Sequence, residues 1–285
     1  MLDQLGKLAS ARFIDNPIFI VGGSRSGTIA LLMAIGKHRR ILSSPSEDPF
    51  ITDLGGMVHA LEYCSDVERD YYLRTLRISH DYIYKSLHRL ALESAFGRHY
   101  GLKQLVKYTL ENGAGLLRKR YWCTKTFPSE LVTQGLLKLY PGTRFIWILR
   151  NGVNVVHSRR KFPEFRELSF ENHCQHWADS IMRFSYLFDL SEAIVIRQES
   201  LADDPEIVFR NIFNHVGVSY EPGPAEFAVS HLVHPLDEDT SEGVDVRKVL
   251  SERSPAYEAW TVEQKSMFKD ICGEAMNKAG YSLEF

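Results

Sequence analysis

Residues 17–32 read PIFIVGGSRSGTIALL, and this stretch decides the fold. The apolar run Ile18-Phe19-Ile20-Val21 breaks into Gly22-Gly23-Ser24-Arg25-Ser26-Gly27-Thr28, and a second apolar run, Ile29 to Ile35, follows at once. That order reads as a strand, a tight loop of small residues and a helix buried on most sides. The backbone N–H groups of such a loop and the N-terminus of the helix behind it together form a site for a phosphate-like anion. A glycine-rich turn without a ligand is the plain alternative.

Gly22 to Gly27 has the G-x-x-x-x-G spacing of a nucleotide P-loop. An NTPase carries next a Lys that reaches the β- and γ-phosphates, and here that position is Thr28. The cation of the loop is Arg25, three residues earlier. The loop is therefore read as built for an anion, though not for ordinary ATP or GTP hydrolysis.

The rest of the chain extends this pattern. Strands are expected at Tyr121–Cys123, Phe145–Leu149 and Ile194–Ile196, with helices from Ser129 to Leu139, from about Val153, across 169–191, from Asp204-Pro205 to Gly217, and from Thr261 to before Gly280. Residues 41–50 read as a loop rich in turn formers, and 219–259 as irregular. Residues 52–118 show only helical spacing, as in Tyr71, Tyr72, Leu76, Tyr82, Leu87 and Leu90, and are read as a helical insertion, either a substrate lid or a structural helix pair. Strands that alternate with helices define an α/β fold. The expectation is a three-layer αβα domain over residues 1–285 with a central, mostly parallel sheet like that of P-loop NTPases. Ligands then sit at the carboxyl ends of the strands, where the 22–28 loop, Lys125 and Arg150 all fall.

Composition narrows the partners. At 285 residues and 44% hydrophobic, the chain can bury a substantial core. A net charge of −2 gives no support for nucleic-acid binding. Cys64, Cys123, Cys174 and Cys272 are isolated and apolar-flanked, which points to core residues rather than a zinc site or disulfide framework. His173 with His176, and His231 with His234, have metal-compatible spacing but no third ligand, and are read as structural. The start, MLDQLGKLAS, lacks the apolar core of a leader, and no apolar run approaches a membrane span, so a soluble, cytoplasmic protein is expected. The basic clusters Arg118-Lys119-Arg120 and Arg159-Arg160-Lys161 are read as solvated faces, the second adding at most a field to its surroundings.

Arg150 is followed eight residues later by Ser158, in LRNGVNVVHS, so both can grip one anionic group. GGSRSGT at 22–28, this Arg–Ser pair and the acidic segment IRQESLADDPEIVFRNIFNHVGV at 196–218 together resemble the sulfotransferases that use 3′-phosphoadenosine-5′-phosphosulfate (PAPS). The resemblance covers about 17–50 and 121–218. It implies that Gly23, Ser24, Arg25, Ser26, Gly27 and Thr28 hold the 5′ end of PAPS, and that Arg150 and Ser158 hold its 3′-phosphate. It implies no metal, with adenosine 3′,5′-bisphosphate as the product. Arg25 would stabilise charge on the bridging oxygen of the leaving phosphate.

Other features depart from the resembled pattern. Lys125 occupies the place of a K-T-H segment, but this chain reads Lys125-Thr126-Phe127 and Phe127 cannot act as a base. Lys125 is expected to contact the transferring sulfonate. Other branches carry an acidic residue in the loop after the first helix, and Glu47 in SSPSEDPF takes that place as the base; Asp48, His59, His80 and His88 are its rivals. A late basic segment that closes over the nucleotide is matched loosely by Arg247-Lys248, or by Arg253 with Ser254. The acceptor is expected to be a small molecule or a carrier-bound group. Two other functions stand beside this one: an atypical P-loop kinase, and a catalytically inactive nucleotide-binding module.

Overall fold

The computed structural model describes residues 16–47, 49–63, 74–75, 77, 79–92, 119–231 and 256–283. Strands β1 (Pro17–Val21), β2 (Ile41–Glu47), β3 (Tyr121–Lys125), β4 (Arg144–Leu149) and β5 (Ala193–Arg197) form one all-parallel sheet in the order β2-β3-β1-β4-β5, flanked by helices. The α/β reading is thus the observed architecture. The chain resolves into two compact units, residues 1–20 with 35–145, and residues 21–34 with 146–285.

The first unit is built on β3. Cys123 is the register partner of Ile18 and Lys125 that of Ile20, while Tyr121 to Cys123 pair on the other side with Ile41 to Ser43. Ile18, Phe19 and Ile20 are fully buried, as expected of a central parallel strand covered on both faces. The Phe19 ring meets Trp122 edge-on at 5.7 Å and Phe145 at 5.5 Å.

Two helices of this unit meet backbone to backbone. Helix α2 (Pro49–Tyr63) lies against α4 (Glu130–Leu139), whose expected cap is present: Val132 N–H donates to Ser129 Oγ. A Cβ placed on Gly135 would stand 1.9 Å from the Gly55 carbonyl oxygen, so glycine at this crossing is a steric requirement. Of the 52–118 insertion, most of α2 and all of α3 (His80–Leu92) are described. Tyr71, Tyr72 and Leu76 lie outside the described residues, as does everything from 93 to 118.

The sequence reading of 41–50 as a loop is corrected. Ile41 to Glu47 form strand β2 at the sheet edge. Its polar residues suit that edge: Ser44 Oγ and Thr124 Oγ1 are hydrogen-bonded at 2.9 Å, and Pro45 falls where the register shifts between Ser43 and Glu47. A proline is tolerated at an edge irregularity because no ladder donor is lost there.

The second unit holds the 22–28 loop and all but the last residue of α1 (Thr28–Ile35). It also contains α5 (Gly152–Lys161), α6 (Phe170–Phe184), α7 (Gln198–Asp203), α8 (Pro205–Val216), α9 (Gly223–His231) and α10 (Val262–Lys278). Caps set most of these boundaries. Asn151 and Asp204 accept from Val153 N–H and Ile207 N–H, and Thr261 with Gln264 forms a full capping box. Two readings differ from the sequence expectation. Residues 223–231 are helical rather than irregular, since the prolines at 222 and 224 fall at the start of α9, where no intrahelical donor is needed. Ile29 and Met33, one turn apart on α1, are 39% and 45% exposed, so that helix is not buried all round.

Cys123, Cys174 and Cys272 are buried thiols, consistent with the core role read for them; Cys64 lies outside the described residues. No described helix is long and apolar enough to cross a membrane.

Candidate functional site

The loop after β1 is held by close packing. A Cβ on Gly22 would lie 2.8 Å from Thr28 Cγ2 and 2.9 Å from the Ile148 carbonyl oxygen, and Gly27 adopts φ +86°. Arg25, although it is not glycine, sits at φ +65°. The left-handed region costs an L-residue about 1 kcal/mol, so the surroundings must hold it there.

Those surroundings are Arg150 and Ser158. Arg150 Nη1 donates to the Arg25 carbonyl oxygen at 2.7 Å, and Arg25 Nε donates to Ser158 Oγ at 3.0 Å. The Arg25 guanidinium also lies over the Phe162 ring, 4.3 Å from its centroid. The two separate anion grips read from the sequence are therefore bonded to each other within one unit. Ser26, Thr28 and Ser158 are all buried beside them. At the N-terminus of α1, Leu31 N–H bonds to the Gly27 carbonyl, which leaves the earlier amides of the helix for other acceptors.

Arg150 is fixed in turn from behind. Trp177 of α6 donates its indole N–H to the Arg150 carbonyl at 3.2 Å. Glu199 accepts from the Asn151 N–H at 2.8 Å and from the Tyr281 hydroxyl at 3.0 Å, which ties the start of α5 to the C-terminal turn. Burial and the neighbouring Glu199 raise the Tyr281 phenol above its ordinary range, so it remains a donor.

Arg159 is a correction. Read as part of a solvated face, it is only 2% exposed. Its Nη1 donates to Ser24 Oγ in the loop, and its guanidinium lies 4.3 Å from the centroid of the Phe165 ring. Burial first, and the nearby Arg25 second, lower its pKa to about 10, which still leaves it charged at neutral pH. The signal was in the spacing: Gly152, Val155, Val156 and Arg159 fall at i, i+3, i+4 and i+7 of one helix, and all are buried. Arg160 and Lys161 are exposed, as read. Lys119 is a second correction, being buried with its ammonium donating to the carbonyls of His38 and Ile41 at 3.2 and 2.7 Å; Arg118 lies outside the described residues.

Two further neighbours of the loop were missed by sequence reading. Ser180 Oγ lies 2.9 Å from where a Cβ on Gly23 would stand, and Gln198 Cγ lies 3.4 Å from the corresponding point on Gly27. Gln198 had a usable signal, since it follows the carboxyl end of β5 directly. His173 is fully buried, and its pKa is pushed down to about 4 by burial and by Arg159, Arg160 and His176, so it is neutral at pH 7. Among the described residues no group of three or more His, Cys, Asp or Glu could hold a metal.

The remaining described candidates lie in the first unit. Glu47 ends β2 as the register partner of Lys125. Lys125 is 6% exposed, with its ammonium 4.5 Å from the centroid of Phe127. The Lys125-Thr126-Phe127 segment is pinned by Thr52 Oγ1, which is bonded to Thr126 Oγ1 at 2.7 Å and accepts from Phe127 N–H at 3.3 Å. Of the rival bases, His59 is on α2, His80 opens α3, and His88 is engaged on the Leu139 carbonyl at 3.1 Å and against the Tyr140 ring. Asp48, Arg247, Lys248, Arg253 and Ser254 lie outside the described residues.

A parallel sheet whose first strand runs into a glycine-rich loop capped by a helix defines a P-loop-like α/β protein. The chain belongs to the sulfotransferase family, whose model matches residues 17–222. Solved structures that share the fold include two sulfotransferase domains. The sulfotransferase domain from the curacin biosynthetic pathway is 16% identical, with a TM-score of 0.50, and the match covers 95% of this chain and 100% of that one. The sulfotransferase domain of the Synechococcus PCC 7002 olefin synthase is 14% identical, with a TM-score of 0.51, and the match covers 96% of this chain and 98% of that one. No curated protein matches the chain.

Proposed function

We propose that this chain transfers a sulfonyl group in line from PAPS to a hydroxyl or amine of a small-molecule or carrier-bound acceptor, releasing adenosine 3′,5′-bisphosphate. The observation that carries this reading is the bonding of Arg150 and Ser158 to Arg25 of the loop. PAPS has two anionic ends joined by an adenosine, and this arrangement offers two cationic grips in one unit. Gly22 and Gly23 have no room for side chains against Thr28, Ile148 and Ser180, so this stretch of the loop presents bare backbone, as a phosphate cradle needs. Thr28 in the Lys position stands against the kinase alternative.

In this reading the amides of 22–28, with Ser24, Ser26 and Thr28, hold the 5′-phosphate, while Arg150 and Ser158 hold the 3′-phosphate. Arg25 donates to the bridging oxygen as the bond from that oxygen to sulfur breaks. Lys125 takes an oxygen of the moving sulfonate. Glu47 accepts the acceptor proton as the new bond to sulfur forms. Glu47 is in register with Lys125, which supports assigning these two roles to neighbouring positions of the first unit. Arg247 and Lys248 are kept as the basic segment that covers the nucleotide.

Adenosine 3′,5′-bisphosphate is expected to raise the thermal midpoint of the protein, because a ligand that binds only the folded state stabilises it. ATP with magnesium should do so far less; the opposite order would favour the kinase. Stabilisation with no turnover on a broad acceptor panel would favour the inactive module. For Glu47→Gln, unchanged affinity for the bisphosphate and sulfonyl transfer slower by on the order of 10²-fold are expected. A rate equal to the parent's moves the base elsewhere.

A further inference from the structure

Arg159 stands with three tryptophans among the largest fully buried side chains of the described residues. Its Nη1 is bonded to Ser24 and its face lies on Phe165, yet its buried Nε–H meets no hydrogen-bond partner. No ion pair joins it to a carboxylate among the described residues. The charge that acts on it is Arg25, and it acts in turn on His173 and His176, so its electrostatic neighbours are cationic or neutral. A buried guanidinium is ordinarily matched by an anion with hydrogen bonds to its several donors. Here the fold spends a whole turn of α5 on bringing this charge to the loop and supplies no carboxylate to meet it.

We propose that Arg159 is a third anion-binding cation of the donor site, its Nε–H taking a phosphate or sulfonate oxygen of the donor beside Arg25 and Arg150; this rests on the donor reading above. Three features favour a ligand over a purely structural role. The guanidinium touches the loop itself through Ser24. It directly follows Ser158, a member of the second grip. It keeps a planar donor edge unsatisfied where a tetrahedral oxyanion with several acceptor oxygens would satisfy it.

The rival account is that Arg159 merely ties Ser24 to α5. Titration calorimetry with adenosine 3′,5′-bisphosphate on the parent, Ser24→Ala, Arg159→Met and the double variant separates the two. Arg159→Met keeps the apolar packing on Phe165 and removes the charge, so its midpoint without ligand should equal or exceed the parent's. Its affinity should fall roughly 10- to 100-fold, and by a similar further factor in the Ser24→Ala background. Adenosine 5′-monophosphate and adenosine 3′-monophosphate, run in parallel, identify the end of the donor involved, since only the one carrying the contacted phosphate should lose affinity. Should Arg159→Met fail to fold, Arg159→Gln takes its place in the same cycle. Parental affinity in the charge-removed variant, or no further loss once Ser24 is gone, overturns the inference while leaving the donor reading intact. A parent that binds none of the three nucleotides overturns the donor reading, and this inference with it.

Discussion

Arg25→Ala is expected to lower sulfonyl transfer by on the order of 10²-fold or more, in a protein that folds normally. The comparison is the rate of adenosine 3′,5′-bisphosphate release from PAPS with an acceptor that the parent uses. Arg25 is the one cation carried by the loop itself, and its backbone is held at φ +65° by the Arg150 hydrogen bond to its carbonyl. That bond survives the substitution, because it is made to the main chain. What goes is the guanidinium, with its contacts to Ser158 and Phe162. A loss in rate that exceeds the loss in bisphosphate affinity marks a donor used most strongly in the transition state. A rate near the parent's contradicts the role assigned to it.

Gly135→Ala is expected to destabilise the protein by about 3 kcal/mol or more, at the top of the usual range for overpacking. The added methyl would meet the Gly55 carbonyl oxygen at 1.9 Å and the His59 backbone nitrogen at 2.9 Å. Both are backbone atoms and cannot rotate away, so α2 and α4 must part. Gly56→Ala is the matched control, since its Cβ would meet only Val132 Cγ2 at 3.9 Å. There, replacing a helical glycine should stabilise by up to about 1 kcal/mol. Urea midpoints with unchanged slopes are the readout. A Gly135→Ala midpoint equal to the parent's would show that the two helices separate at little cost.

The parts of the fold legible in the sequence are those encoded by neighbours in the chain. The 17–32 strand–loop–helix, the Ser129 and Asp204 caps and the Thr261 capping box depend on spacings of a few residues, and they appear where read. Strand β2 escaped because Ser43, Ser44 and Pro45 look like turn residues until Thr124, eighty positions away, supplies a partner for Ser44. Arg159 and Lys119 escaped for a related reason. A long cation is exposed by default, and only distant groups make its burial possible: the Ser24 hydroxyl for one, the His38 and Ile41 carbonyls for the other. At the site, the Arg150–Ser158 pair was legible because its spacing of eight is local, whereas its hydrogen bonds to Arg25 cross more than a hundred residues.

The central claim is that two grips hold opposite ends of one donor, and Arg150→Ala tests it most directly. Affinities of parent and variant for adenosine 3′,5′-bisphosphate and for adenosine 5′-monophosphate, which lacks the 3′-phosphate, form the comparison. The expected result is a loss roughly 10- to 100-fold greater for the bisphosphate than for the monophosphate, whose smaller loss reflects only the freed Arg25 carbonyl. Equal losses for both ligands, or no loss for either, would contradict it.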